Sequence, residues 1–265
     1  KTNITNAAAL TGRIPLPPRS ALFEYVSHED IITEVRKQLK KRGFKIIRED
    51  YRSNSNYQSA NGIYYLDHPD LQDAELKPVF TWSNSYERSK DFKCTIGVHN
   101  DLEDIFLSDD VSYSTEDIEQ PFISMLRCVV EQLDQAADQF SDIKEKITRL
   151  KSISVSPRKR AELIGRLFLE WDIMGVTQIS TIKRALDENK PLYTKSDPIP
   201  AWDLYKFLSY AVSDAHPVKW MDNHIVLYDK FRELLDHTKK IVKVPAPEEP
   251  KSVRNPLTTV IFKQL

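Results

Sequence analysis

Only six glycines are spread over 265 residues, and they form no Gly-rich loop that could cradle a phosphate. Neither a Walker nor a Rossmann string is present. Cysteine is scarcer still. Cys94 and Cys128 are the only two, and both fall within apolar patterns, as in a buried, reduced pair of a cytosolic protein. No apolar run approaches the length needed to cross a membrane. The first residues lack a signal-peptide pattern, and the missing initial Met suggests a trimmed N-terminus. Charge of one sign is also absent: 38 basic residues against 39 acidic ones leave a net charge of −1. The totals therefore do not announce a nucleic acid as partner.

The missing motifs narrow the chemistry. The histidines are His28, His68, His99, His216, His224 and His237. None pairs at His-x-x-x-His spacing, and there is no Cys-x-x-Cys, so no metal site and no cofactor are expected. His68 sits in Asp67-His68-Pro69-Asp70, which reads as a polar turn before it reads as a cation site. No Gly-x-Ser-x-Gly occurs. Carboxylates are plentiful, but nothing places two of them around one reacting atom, as acid–base work requires. The chain is read as a non-enzyme.

What is present is uneven charge. Residues 36–52 carry Arg36, Lys37, Lys40, Lys41, Arg42, Lys45, Arg48 and Arg52 against Glu49 and Asp50. Residues 101–119 hold Asp101, Glu103, Asp104, Asp109, Asp110, Glu116, Asp117 and Glu119 with no Lys or Arg. The molecule should have a basic side and an acidic strip.

The patterning predicts an α+β fold, a small antiparallel β-meander followed by a helical body with one long heptad-patterned helix. Residues 1–20 read as an arm, because Gly12 and Pro15, Pro17 and Pro18 break regular structure. It would be a mobile tail or lie across a neighbouring subunit. A single domain is expected over 21–243, β-rich at 44–99 and helical at 115–240. Ser27 caps the first helix, Asp30 follows three residues later, and Gly43 ends it. Short strands are expected at Phe44–Tyr51, Gly62–Leu66 and Val79–Ser83. In a fourth, Phe92, Cys94, Ile96 and Val98 alternate with polar neighbours. One sheet face should be apolar and the other solvated or ligand-holding.

Phe122, Leu126, Val129, Leu133, Ala136, Phe140, Ile143, Ile147 and Leu150 then alternate spacings of four and three, a heptad seam. It serves either an internal helix pair or a subunit interface. Ser156 and Pro157 open another helix as cap and first residue. Its start, Arg158-Lys159-Arg160, opposes the macrodipole, so an anionic partner explains it better than local stability. Further helices are expected near Thr177–Asn189, Pro200–Ser213 and Asp222–Lys240. From 244 to 265 a Pro-rich acidic linker leads to the apolar Val260-Ile261-Phe262, either an added strand or a recognition motif.

Single-strand binders need cations for phosphate and flat rings on which any base stacks. The β-rich part interleaves both: Arg48, Tyr51, Arg52 and Tyr57, then Tyr86, Arg88, Lys90 and Lys93. With Arg158, Lys159 and Arg160 these form the candidate nucleic-acid site. The alternative is that the tyrosines only decorate turns. No RNP string and no five-strand OB pattern is present.

Two strings add a resemblance. Trp202-Asp203-Leu204-Tyr205-Lys206-Phe207-Leu208-Ser209 resembles the Trp-x-Leu-Tyr-Asn-x-Leu-Thr helix of the phage/plasmid-like family of unknown function. Lys206 replaces its Asn and Ser209 its Thr. Asn84-Ser85-Tyr86-Glu87-Arg88-Ser89-Lys90-Asp91-Phe92 resembles that family's Asn-Ser-(His/Tyr)-Asp-Gly-Ser-x-x-Phe hairpin. Val98-His99-Asn100-Asp101-Leu102 lacks the Cys and Gly that follow in the family. The resemblance covers residues 40–216 and implies an origin in phages, plasmids or mobile islands, with no settled activity. More loosely, the meander, helical body and linked tail resemble the Drc-type single-stranded-DNA-binding cofactors of phage RNA polymerase.

Together these readings give a sequence-nonspecific single-stranded-DNA-binding accessory protein of transcription, replication or recombination. It is expected as a homo-oligomer in the host bacterial cytoplasm, with a phage or host RNA polymerase as a partner and no membrane contact. The alternatives are a DNA- or nucleotide-processing enzyme without a recognisable motif, and a protein-binding anti-defence module.

Overall fold

The computed structural model describes residues 3–11, 25–86, 92–100, 105–108, 111–114, 120–188, 197–213 and 219–241. It is mixed α+β, an antiparallel meander followed by a helical body. The chain opens with β1 (Asn3–Thr5) and α1 (Ala7–Thr11), then α2 (His28–Lys41). Five strands follow: β2 (Lys45–Ser53), β3 (Ser59–Asp67), β4 (Lys77–Ser85), β5 (Lys93–Asn100) and β6 (Ile105–Leu107). They pair in chain order from β1 to β6, every pair antiparallel, and β7 (Ser112–Tyr113) adds to β5. Residues 3–11 are therefore not an arm, and 12–20 of the expected arm lie outside the described residues. Asn3–Thr5 pairs with Tyr51–Ser53, and Leu10 is buried.

The predicted start and stop of α2 hold. Ser27 Oγ accepts from Asp30 N at 3.0 Å. Ile31, Ile32, Val35 and Leu39 are buried along one stripe, as their helical spacing requires. Gly43, at φ +80°, turns the chain out of the helix, a conformation that costs glycine little.

Register sorts the sheet into two faces. On one, Tyr51, Gly62, Trp82 and Cys94 lie side by side, next to Tyr64, Phe80 and Ile96. Gly62 is obligatory there, because a Cβ would stand 2.3 Å from Trp82 Nε1. Helix α2, with α3 (Pro121–Asp134) and α4 (Ala136–Ser152), covers this face. Fully burying rings such as Trp82 and Phe80 contributes on the order of 1.5–3 kcal/mol each.

The other face carries Arg48, Arg52, Asn61, Ile63, Tyr65, Thr81, Ser83, Lys93, Thr95 and His99. It was expected to be solvated or open to a ligand, yet β3, β4 and β5 are buried on both sides. Phe106 of β6 closes it together with Trp220 and Met221. Some of the polar residues of this face pair with one another or with nearby backbone, whereas Thr81 Oγ1 and Trp220 Nε1 are buried with no hydrogen-bond partner among the described residues. Thr95 Oγ1 bonds Ser108 Oγ, and Arg52 Nη1 donates to Ser213 O at 2.7 Å. Such pairing is what buried polar groups require.

The heptad run is carried by α3 and α4, broken at Gln135 (φ −93°, ψ 3°), rather than by one helix. Its apolar positions from Val129 to Leu150 are buried. They face β5 and α7 (Ala201–Ser213). From Val129 onward the seam is thus internal, whereas Phe122 at its start is exposed. Between α4 and α7 come β8 (Ser154–Val155), α5 (Pro157–Leu169), α6 (Val176–Glu188) and β9 (Ile199–Pro200). Pro200 pairs with Ser154 in β9 and so precedes α7 instead of opening it. Helix α8 (Trp220–Ile241) follows. The tail from 244 lies outside the described residues.

Candidate nucleic-acid interface

The tyrosines chosen for base stacking are mostly core. Tyr51 is 2 % exposed, its hydroxyl 2.8 Å from Glu49 Oε2 and 3.1 Å from Tyr64 Oη. Burial holds its pKa far above the usual phenol range. Tyr86 is stacked on His28 at 4.3 Å, and its hydroxyl accepts from His28 N at 2.8 Å. Burial pushes its pKa up to about 12. Neither ring can receive a base. Tyr57 is half-buried against the core at φ +57°, and its carbonyl lies 3.1 Å from His28 Nε2.

These contacts give the Asn84-Ser85-Tyr86 string a structural job. Asn84 Nδ2 donates to Val26 O at 3.1 Å and lies 3.1 Å from His28 Nδ1. Ser85 Oγ meets Ser59 Oγ at 2.7 Å. The string fastens the entry of α2 to the sheet. Burial lowers the His28 pKa to about 4, so the ring is neutral.

Several cations are also withdrawn from the surface. Arg52 is buried, over the Trp220 ring at 5.1 Å. Lys93 pairs with Asp222 of α8. Arg160 lies on the inner side of α5 with Leu163 and Leu167. Their sequence neighbourhood is polar, but strand and helix periodicity turn these three inward. Arg88 and Lys90 lie outside the described residues.

Three candidates remain outside. Arg48 is exposed, 3.2 Å from Asp50 Oδ2 and 3.8 Å above the Tyr65 ring. Arg158 is exposed and Lys159 half-exposed at the start of α5. Ser156 caps this helix through Lys159 N at 3.4 Å, and Pro157 is its first residue. Among the described residues neither Arg158 nor Lys159 has a carboxylate partner. The structure brings these two together and leaves Arg48 on a different element.

One cluster escaped the sequence reading. Trp171, just past α5, is half-buried. The Arg166 guanidinium lies 4.7 Å and the Lys230 ammonium 5.8 Å from its ring centre. Arg166 Nε also donates to Glu170 Oε2 at 2.8 Å, and Lys230 Nζ to Glu233 Oε1 at 2.9 Å. Trp171 reads from sequence as another position of an apolar stripe, and nothing local links it to a lysine of α8.

Elsewhere, Arg52, Tyr65, His99, Phe106 and Trp220 surround a cavity on the polar sheet face with room for about one water molecule. That is too small for a nucleotide. No group of three His, Cys, Asp or Glu side chains fit to hold a metal occurs among the described residues. Cys94 and Cys128 are free and buried, and burial raises both thiol pKa values, that of Cys128 to about 11. No helix among the described residues is long and apolar enough to cross a membrane. No family model, no curated protein and no solved structure matches the chain.

Proposed function

We propose that the protein binds single-stranded nucleic acid without regard to sequence, through cations that begin at the first turn of α5. The observation that carries this reading is Arg158 and Lys159. They stand on the positive end of a helix with no carboxylate partner among the described residues. Cations there weaken the helix, so the fold gives no reason for them, whereas a phosphate chain does. The looser resemblance to Drc-type polymerase cofactors supports the same direction, while that to the phage/plasmid-like family supports only the phage or mobile-element origin. In this reading the protein is a non-catalytic accessory factor of transcription, replication or recombination in a phage or mobile element. It works in the host bacterial cytoplasm, with a phage or host RNA polymerase as its protein partner.

The test is fluorescence polarisation with a labelled oligo(dT), and with its RNA counterpart, across a salt series. Binding should weaken as salt rises, with a slope of about −0.7 per phosphate contact. The double substitution Arg158→Ala, Lys159→Ala should flatten that slope and weaken mixed-sequence oligonucleotides equally. No binding of the parent even at low salt would end the proposal.

A further inference from the structure

We infer that the Arg166 guanidinium, laid over Trp171, is the platform on which a base of the bound strand stacks, with Lys159 and Lys230 meeting its phosphates. This rests on the single-strand reading above and gives it a location.

The four tryptophans are not alike. Trp82, Trp202 and Trp220 are 0 %, 4 % and 3 % exposed, whereas Trp171 is left half-exposed. The chain around it is fixed. Trp171 N bonds Arg166 O at 3.0 Å and Ile173 N bonds Leu167 O at 3.3 Å, with Asp172 between them at φ +49°. The ring is therefore held in place before any ligand arrives. Arg166 lies over it from α5, and Lys230 reaches it from α8.

Lys159 and Arg166 are seven residues apart, about two helical turns and roughly 10 Å, on the same side of α5. Lys159, Arg166 and Lys230 thus offer separate positive charges around one flat surface. The carboxylates nearest to hand, Glu170 and Glu233, hold Arg166 and Lys230 in solvent-exposed pairs. Pairs of that kind contribute little and are screened by salt, so a phosphate replaces them at small cost.

Unpaired bases stack on aromatic rings and on guanidinium planes alike. A base–guanidinium–indole pile uses the planarity of arginine, which lysine lacks. Stacking of this kind accepts every base. The ligand class is a single strand, because in a duplex the base faces are already occupied.

Since the other three tryptophans are buried, quenching of intrinsic emission by oligo(dT) at low salt reports Trp171. Arg166→Lys keeps the charge and loses the plane. It should leave the salt slope unchanged while weakening binding roughly fivefold to 150-fold, the range for one lost stack. Trp171→Leu should show the same loss and abolish the quench, whereas Trp171→Phe should retain most of the affinity. Arg166 is partly exposed and outside the core, so its variant tests the inference even if Trp171→Leu fails to fold. A parent that binds oligo(dT) without quenching, or an Arg166→Lys variant that binds like the parent, would overturn this platform and leave the single-strand reading standing. A parent that does not bind at all would overturn both.

Discussion

His28 and His224 are buried and neutral, each with its pKa lowered by desolvation from the usual 6.5 to about 4. The unfolded chain takes up these protons below pH 6.5, whereas the native state takes them up only near 4. Stability is therefore full above 6.5 and falls as the pH drops toward 4, by up to roughly 3 kcal/mol per histidine. Urea midpoints should decline steadily between pH 7 and pH 5, before the lowered carboxylates Glu34, Glu49 and Asp73 start to titrate. A flat profile over that range would contradict the assignment. Gly62→Ala tests the sheet instead. Its methyl group collides with the Trp82 indole, and overpacking of this kind costs about 1–3 kcal/mol, seen as a lower Tm. Single residues were the least legible part of the sequence. Tyr51 and Tyr86 have the polar neighbours of surface tyrosines. Their hydroxyls allow burial because Glu49, Tyr64 and His28 N complete their hydrogen bonds. Of these only Glu49 is a sequence neighbour, while Tyr64 and His28 come across a register or from another element that composition does not reveal.

Helix ends were legible where a side chain writes them. Ser27 and Ser156 cap α2 and α5 as their sequence positions imply. The break at Gln135 was not, since no Gly or Pro marks it and the heptad spacing runs straight through. The four main strands were found within a few residues, yet their polar positions misled. Thr81, Thr95 and Asn61 alternate as if toward water, although α8 and β6 lie over them. Helix α5 offers a test with opposite signs. Arg158→Glu with Lys159→Glu suits the helix dipole and should raise Tm by about 2–4 °C, while removing oligonucleotide binding. A variant that melts earlier would show that these cations serve the fold after all.

Of the two features that pointed to assembly, the seam is internal from Val129 onward, and the Ile14–Pro18 arm lies outside the described residues. The seam from Val129 to Leu150 lies against β5 and α7, and Asn3–Thr5 is an edge strand of its own sheet. Light scattering at micromolar concentration tests the homo-oligomer expected from the sequence, and a return of 30.7 kDa, the mass of one chain, would contradict it. A larger mass would mean that a surface other than the buried part of the seam joins subunits. The order in which the parts meet also has a consequence during synthesis. The sheet is complete by residue 113, but the cover of its Thr, Asn, Arg and His face, Trp220 and Met221, leaves the ribosome more than a hundred residues later. Translation at about 5–20 residues per second makes that delay about 5–20 seconds. Through it this face shows water the hydroxyls, amide and guanidinium of Thr81, Thr95, Asn61 and Arg52 beside the apolar Ile63, Tyr65 and Val79, a mixed surface less prone than an all-apolar one to stick to its neighbours on the same message.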